Sequence, residues 1–148
     1  MVKYLSDFPR LEVDLSLGTT ISATLTTPGT WYEISSSDLI TVCNNNFTNV
    51  DGSMTYTDTM SRKIKFMGSS AFSTDKACTL EFGVFVNGVF VENAHSKVDI
   101  VATTKLGGFS ENACLDLKQG DVITIRAKSD TATTEITVSI LSLLLFYV

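Results

Sequence analysis

The stretch Leu80–Glu92, LEFGVFVNGVFVE, constrains this chain more than any other. Asn87-Gly88 between two β-rich runs predicts a two-residue hairpin turn, whose two central residues need φ > 0. The turn sets a register in which Val86 faces Val89, Phe85 faces Phe90 and Val84 faces Val91. Side chains alternate along a strand, so Leu80, Phe82, Val84, Val86, Val89 and Val91 share one face. Phe85 and Phe90 share the other, beside Gly83 and Glu81. One apolar face is what a sheet packed on a core requires. Two apolar faces require a second partner.

The rest of the chain has the same character. No window carries the 3.6-residue apolar period of an amphipathic helix, and short alternating runs recur between Gly, Asn, Asp and Ser clusters. The expected class is all-β. Strands are predicted at Leu11–Leu17, Thr20–Thr26, Thr30–Ile34, Leu39–Cys43, Gly52–Thr57, Arg62–Met67, Cys78–Val86, Val89–Ala94, Lys97–Thr104, Ala113–Leu117, Asp121–Ala127 and Glu135–Val148. The segment Leu115-Asp116-Leu117-Lys118-Gln119-Gly120-Asp121 marks a second turn. There Gly120 takes the left-handed conformation and Asp121 accepts backbone N–H groups. Asn87, Gly88, Gly120 and Asp121 are thus read as turn-forming residues.

Composition narrows the function. At 148 residues and 44% hydrophobic content, the chain can bury one sizeable core. Eleven Lys and Arg against sixteen Asp and Glu leave a net charge of −5. Arg62-Lys63 and Lys65 form the one basic cluster, which argues against nucleic acid as a partner. The N-terminus, interrupted by Asp7 and Arg10, lacks the apolar core of a signal peptide. The C-terminal run SILSLLLFYV is about half the length of a membrane-spanning helix. A soluble protein made in a cytosol, not secreted, is expected. Read as complete from Met1, the chain has no fibrous shaft.

Cys43, Cys78 and Cys114 lie far apart and show no paired metal-ligand spacing, so they read as free thiols, with a Cys78–Cys114 disulfide the alternative. The sequon at Asn46 is incidental without secretion. The oxygen-rich segment Asn44–Asp51 reads as a turn rather than a calcium loop. A lone His95 in a loop, no nucleophile elbow, and Asp99, Asp116 and Asp121 at turn or exposed positions make no catalytic constellation. The chain is read as a non-enzyme without a cofactor.

The order of these features resembles a known family. An Asn-Gly hairpin in hydrophobic strands leads to an inward-alternating strand, then L-x-x-GD-x-I-x-I (Leu117–Ile125), then a very apolar last strand. This is similar to the second half of the jelly roll shared by tumour necrosis factor and the complement-type globular head. Upstream, GTWYEI (Gly29–Ile34), NNFTN (Asn45–Asn49) and GSMTYTDTMSRKIKF (Gly52–Phe66) resemble the version found in bacteriophage and other viral structural proteins. The resemblance covers Gly29 to Val148. It implies a two-sheet antiparallel jelly-roll sandwich, assembling as a homotrimer, with the last strand near the three-fold axis.

On that reading the second face of the hairpin, with Phe85 and Phe90, meets a neighbouring subunit. So does the last strand, through Leu141, Leu143, Leu145 and Tyr147. Its run Leu143–Tyr147 is apolar on both sides and would be aggregation-prone if exposed. The alternative is a strand buried on both sides within one subunit. Residues 1–28 form an N-terminal attachment arm or extra strands ahead of a jelly roll at 29–148. Within that arm Tyr4, Leu5, Phe8, Leu11 and Val13 are expected to attach to a capsid, and removal of the arm is expected to spare the trimer. The implied function is an auxiliary virion protein of a bacteriophage: a capsid decoration or cement protein, or a head-fibre trimer. Its partners would be itself and a major capsid or other virion protein. The alternative is a receptor- or carbohydrate-binding tip module that meets a host-surface glycan, with Trp31, Phe72 and Phe109 as candidate aromatic contacts.

Overall fold

The computed structural model describes residues 8–101 and 107–148, with backbone pairing alone for 107–111. Twelve strands follow one another, with no helix among the described residues: β1 (Arg10–Leu15), β2 (Ile21–Leu25), β3 (Tyr32–Glu33), β4 (Leu39–Asn45), β5 (Phe47–Val50), β6 (Ser53–Tyr56), β7 (Arg62–Thr74), β8 (Cys78–Val86), β9 (Val89–Ile100), β10 (Gly107–Leu117), β11 (Val122–Ser129) and β12 (Thr134–Tyr147). Sheet A runs β10-β7-β12-β1-β4, with β2 also paired to β12, and sheet B runs β5-β6-β11-β8-β9, with β3 on β11. All pairings are antiparallel. The two sheets pack face to face, as expected for an all-β sandwich.

Alternation explains the core. From sheet A, Leu11 and Val13 (β1), Phe66 and Phe72 (β7), and Leu141, Leu143 and Leu145 (β12) point inward, buried. From sheet B they meet Leu80, Phe82 and Val84 (β8) and Ile123 and Ile125 (β11). Phe72 and Phe82 touch across the layers, ring centroids 4.8 Å apart. The Asn-Gly hairpin forms as its sequence predicts. Asn87 and Gly88 have φ of 52° and 76°, and Val86 faces Val89 and Phe85 faces Phe90. Beyond that the register breaks between Gly83 and Phe85, so Val84 does not oppose Val91.

Two expectations need adjusting. Residues 1–28 were expected as an attachment arm or as extra strands, and as far as they are described they form two strands of sheet A. β1 lies between β12 and β4, and β2 continues along the same edge of β12. Leu11, Val13, Ile21 and Leu25 are buried among the core residues. The Pro28-Gly29 turn therefore joins strands of one domain: Gly29 has φ 73°, and its N–H donates to Ser129 O at 2.9 Å. Strand lengths also differ from the predicted ones. β7 continues through Gly68-Ser69-Ser70 to Thr74, because both its neighbours supply backbone partners along that stretch.

The second correction concerns the parity of β12. Ile136 and Val138 point inward, but a bulge at Ser139 inserts one residue between Val138, opposite Phe72, and Ile140, opposite Ala71. A bulge of one residue inverts every later side chain. Ile140 is therefore exposed, and Leu141, Leu143 and Leu145 turn into the sandwich.

Candidate assembly and attachment surfaces

The outer face of sheet B carries the second apolar face of the hairpin, and the chain covers it itself. Trp31, just ahead of β3, lies across Phe85 and Phe90 with ring centroids 5.3 Å from each, edge-on to the first and stacked on the second. Phe85 and Phe90 are 5.5 Å apart, and His95 meets Phe90 edge-on at 5.5 Å. Gly83 makes room for this cluster, since a Cβ there would stand 2.9 Å from the Phe90 ring and 3.1 Å from Trp31. Two cations of β11 finish the cover. The Arg126 guanidinium lies 4.5 Å from the Phe85 centroid, and Lys128 Nζ lies 4.7 Å from that of Trp31. Aromatic rings attract cations at such distances. Phe85 is buried as a result, at 4% exposure. Within the subunit its partner is Trp31.

The outer face of sheet A has no such cover among the described residues. With β12 inverted by its bulge, Ile140, Leu144 and Phe146 point outward beside Met67 of β7, which faces Leu144 in register. Ile140 and Met67 are exposed, and Tyr147 ends the strand 38% exposed. An open apolar groove of about 550 Å³ runs there, lined by Phe8, Pro9, Arg10, Leu144, Phe146 and Tyr147. Phe8 stacks on Tyr147, centroids 5.0 Å apart, and the Arg62 guanidinium lies 5.1 Å from the Tyr147 centroid. Both ends of the described chain thus meet at one end of the sandwich.

The predicted contact residues divide accordingly. Leu141, Leu143 and Leu145 belong to the subunit's own core, which also removes Leu11 and Val13 from a capsid contact. Phe8 and Tyr147 remain available on the groove. Tyr4 and Leu5 lie outside the described residues. Of the candidate aromatic contacts, Phe72 is fully buried, Trp31 is half-buried in its cluster, and the Phe109 side chain lies outside the described set. Met67, Ile140, Leu144 and Phe146 were not singled out as contacts in the sequence. Simple alternation through Ser139 assigns β12 the wrong parity.

The two predicted turns prove to be one structure. Asn87 Nδ2 donates to Asp121 Oδ1 at 2.8 Å, Asn87 Oδ1 accepts Val122 N–H at 2.9 Å, and Asp121 Oδ2 accepts Lys118 N–H at 2.8 Å. Gly120, with φ 89°, donates to Tyr56 O at 2.8 Å. Next to this joint, the Tyr56 hydroxyl donates to Met60 O at 2.8 Å, and Arg62 Nε donates to Asp58 Oδ2 at 3.0 Å. Burial, then the Asp58 charge, pushes the Tyr56 hydroxyl up to about 12. The Met60 N–H, with the Arg62 guanidinium, holds the Asp58 carboxyl below the usual carboxylate range.

The three thiols are free; Cys78 is buried, and that burial raises its pKa. Among the described residues no three His, Cys, Asp or Glu gather as a metal site, and no helix is long and apolar enough to cross a membrane.

Solved structures share this arrangement over nearly the whole chain. The PRD1 vertex protein P5 matches with a TM-score of 0.61 at 13% identity, covering 95% of this chain and 96% of its own. The Eiger TNF of S. frugiperda matches at 0.66 and 11% identity, covering 96% and 93%. The globular domain of zebrafish complement 1qA matches at 0.55 and 12% identity, covering 95% and 97%. The fold is the tumour-necrosis-factor-like jelly roll. No protein-family model and no curated protein sequence matches the chain. The expected fold is therefore the observed one, and in this jelly roll the outer face left uncovered by the described residues belongs to sheet A, the sheet that carries both the first and last described strands.

Proposed function

We propose that this chain is a homotrimeric structural protein of a bacteriophage virion, mounted on the shell through the end of the sandwich where its termini meet. The observation that carries the reading is the apolar stripe Met67, Ile140, Leu144 and Phe146 on the outer face of sheet A, which no described residue covers. Exposed patches of this kind mark association surfaces, and burying each such side chain is worth roughly 1.5–3 kcal/mol. A second copy of the same chain is the occupant in closed assemblies. Similarity to a phage vertex protein across both full lengths supports the virion setting. Fold alone hosts many functions, so the role rests on the surface and on its test.

Within the trimer, Phe8, which stacks on Tyr147 at the edge of the groove, would make the contact with a major capsid or other virion protein. Sedimentation equilibrium at micromolar concentration should give three times the 16.1 kDa chain mass; a monomer removes the proposal. Purified protein should bind particles that lack it, and Phe8→Glu should weaken that binding. Protein that ignores particles and blocks infection of host cells would be a receptor-binding module instead.

A further inference from the structure

The end of the sandwich opposite the chain termini holds a different kind of surface. There β8 starts and β11 ends, and a pocket of about 180 Å³ opens on the outer face of sheet B, with Thr79, Glu81, Lys97, Lys128 and Asp130 among its walls. Strand register builds it. Glu81 stands between Lys128 on one neighbouring strand and Lys97 on the other. Lys128 Nζ is 3.3 Å from Glu81 Oε2, and the same ammonium covers the Trp31 ring. Asp130 Oδ1 accepts Thr79 N–H at 2.9 Å and the Thr131 hydroxyl at 3.0 Å. Both of these hydrogen bonds fall on Oδ1, and among the described residues Lys97 makes no hydrogen bond or ion pair. A charged acceptor and a charged donor therefore share one small pocket.

We propose that this pocket binds one ring of a neutral saccharide, through neighbouring hydroxyls. A sugar hydroxyl both donates and accepts, so an adjacent pair can give a proton to Asp130 and receive one from Lys97. Two ammonium groups against two carboxylates leave the walls neutral overall, which offers an acidic sugar no net attraction on a chain of charge −5. The volume is below that of pockets for drug-sized ligands and fits a single ring. The pocket is complete within one subunit; only its outward presentation, at the end away from the termini, rests on the mounting proposed above. A trimer would carry three copies and gain by avidity.

Saturation-transfer NMR with the methyl glycosides of glucose, galactose, mannose and N-acetylglucosamine, and with N-acetylneuraminic acid for comparison, tests this. Saturable transfer to at least one neutral glycoside is expected, with affinity reduced at least fivefold in Lys97→Met and in Asp130→Asn. The Lys97 side chain is exposed, so that variant should melt with the parent and decides the matter if Asp130→Asn unfolds. No transfer to any neutral glycoside, equal binding in Lys97→Met, or preference for the acidic sugar would each overturn the proposal. Sedimentation of the same samples reports the trimer separately, so the two readings fail independently.

Discussion

The outer faces of the two sheets solve the same problem differently. Each carries large apolar side chains outside the sandwich core. On sheet B, Phe85 and Phe90 are roofed by Trp31 and two cations from the same chain. On sheet A, Met67, Ile140, Leu144 and Phe146 have no roof among the described residues. Both stretches read alike in the sequence, as strands apolar on two sides. The difference teaches that a second apolar face is a demand for cover, and that the cover can come from a distant turn as well as from a second molecule.

That contrast can be broken in several ways, and the largest effect comes from the strands that make sheet A complete. Deleting residues 1–28 removes β1 and β2 and their four buried side chains. At roughly 1.5–3 kcal/mol each, their loss approaches the whole 5–15 kcal/mol stability of a domain. The truncated chain should be unfolded by circular dichroism; a folded trimer would restore the separable arm. Next, Leu144→Glu with Phe146→Glu places charge on the uncovered face. The subunit should keep its fold but sediment as a monomer at micromolar concentration, whereas persistence of the trimer would move the interface elsewhere.

On sheet B the same measurements should give the opposite pattern. Trp31→Ala should cost about 2–3 kcal/mol in urea unfolding, below the 3–5 typical of a fully buried Trp, while the trimer persists. Dissociation without loss of subunit stability would make the aromatic cluster an interface after all. Gly83→Ala pushes a methyl against Phe90 and Trp31 and should cost about 1–3 kcal/mol by overpacking. Finding it neutral would mean that the cluster is loosely packed.

The smallest effect is electrostatic and touches the end where the termini meet. Asp58 is held below its ordinary pKa by the Met60 N–H and by Arg62. A carboxylate whose folded pKa is lowered contributes stability above its unfolded pKa and loses it as pH falls through the folded value. Asp130 is lowered too, chiefly by the Thr79 N–H, and contributes in the same acidic window. Asp58→Asn should therefore cost about 1 kcal/mol at neutral pH, and the gap from the parent should close on acidification below the usual carboxylate range. A gap independent of pH would place the loss in packing rather than in charge.

Much of the fold was legible because it follows from local rules. The Asn-Gly turn, the Gly120-Asp121 turn, the all-β class and most strand positions rest on φ preferences and on alternation, both carried by neighbouring residues. The surfaces were less legible. Leu141, Leu143 and Leu145 were expected at a subunit contact and are core, because the bulge at Ser139 depends on how β12 sits against β7. Leu11 and Val13 alternate as a half-buried strand should, but the sequence cannot say that β1 fits between β12 and β4.

The sequence by itself determined three local needs: a turn that Asn and Gly readily accept, strands with an inward side, and two stretches apolar on both faces. Which partner meets each need was decided by tertiary structure alone. Trp31 reaches Phe85 from more than fifty positions away, Asn87 finds Asp121, and β1 finds β12 across nearly the full chain. Local preferences act between neighbours, whereas cover and register are set by strand pairs far apart in sequence, where one inserted residue reverses which face looks out.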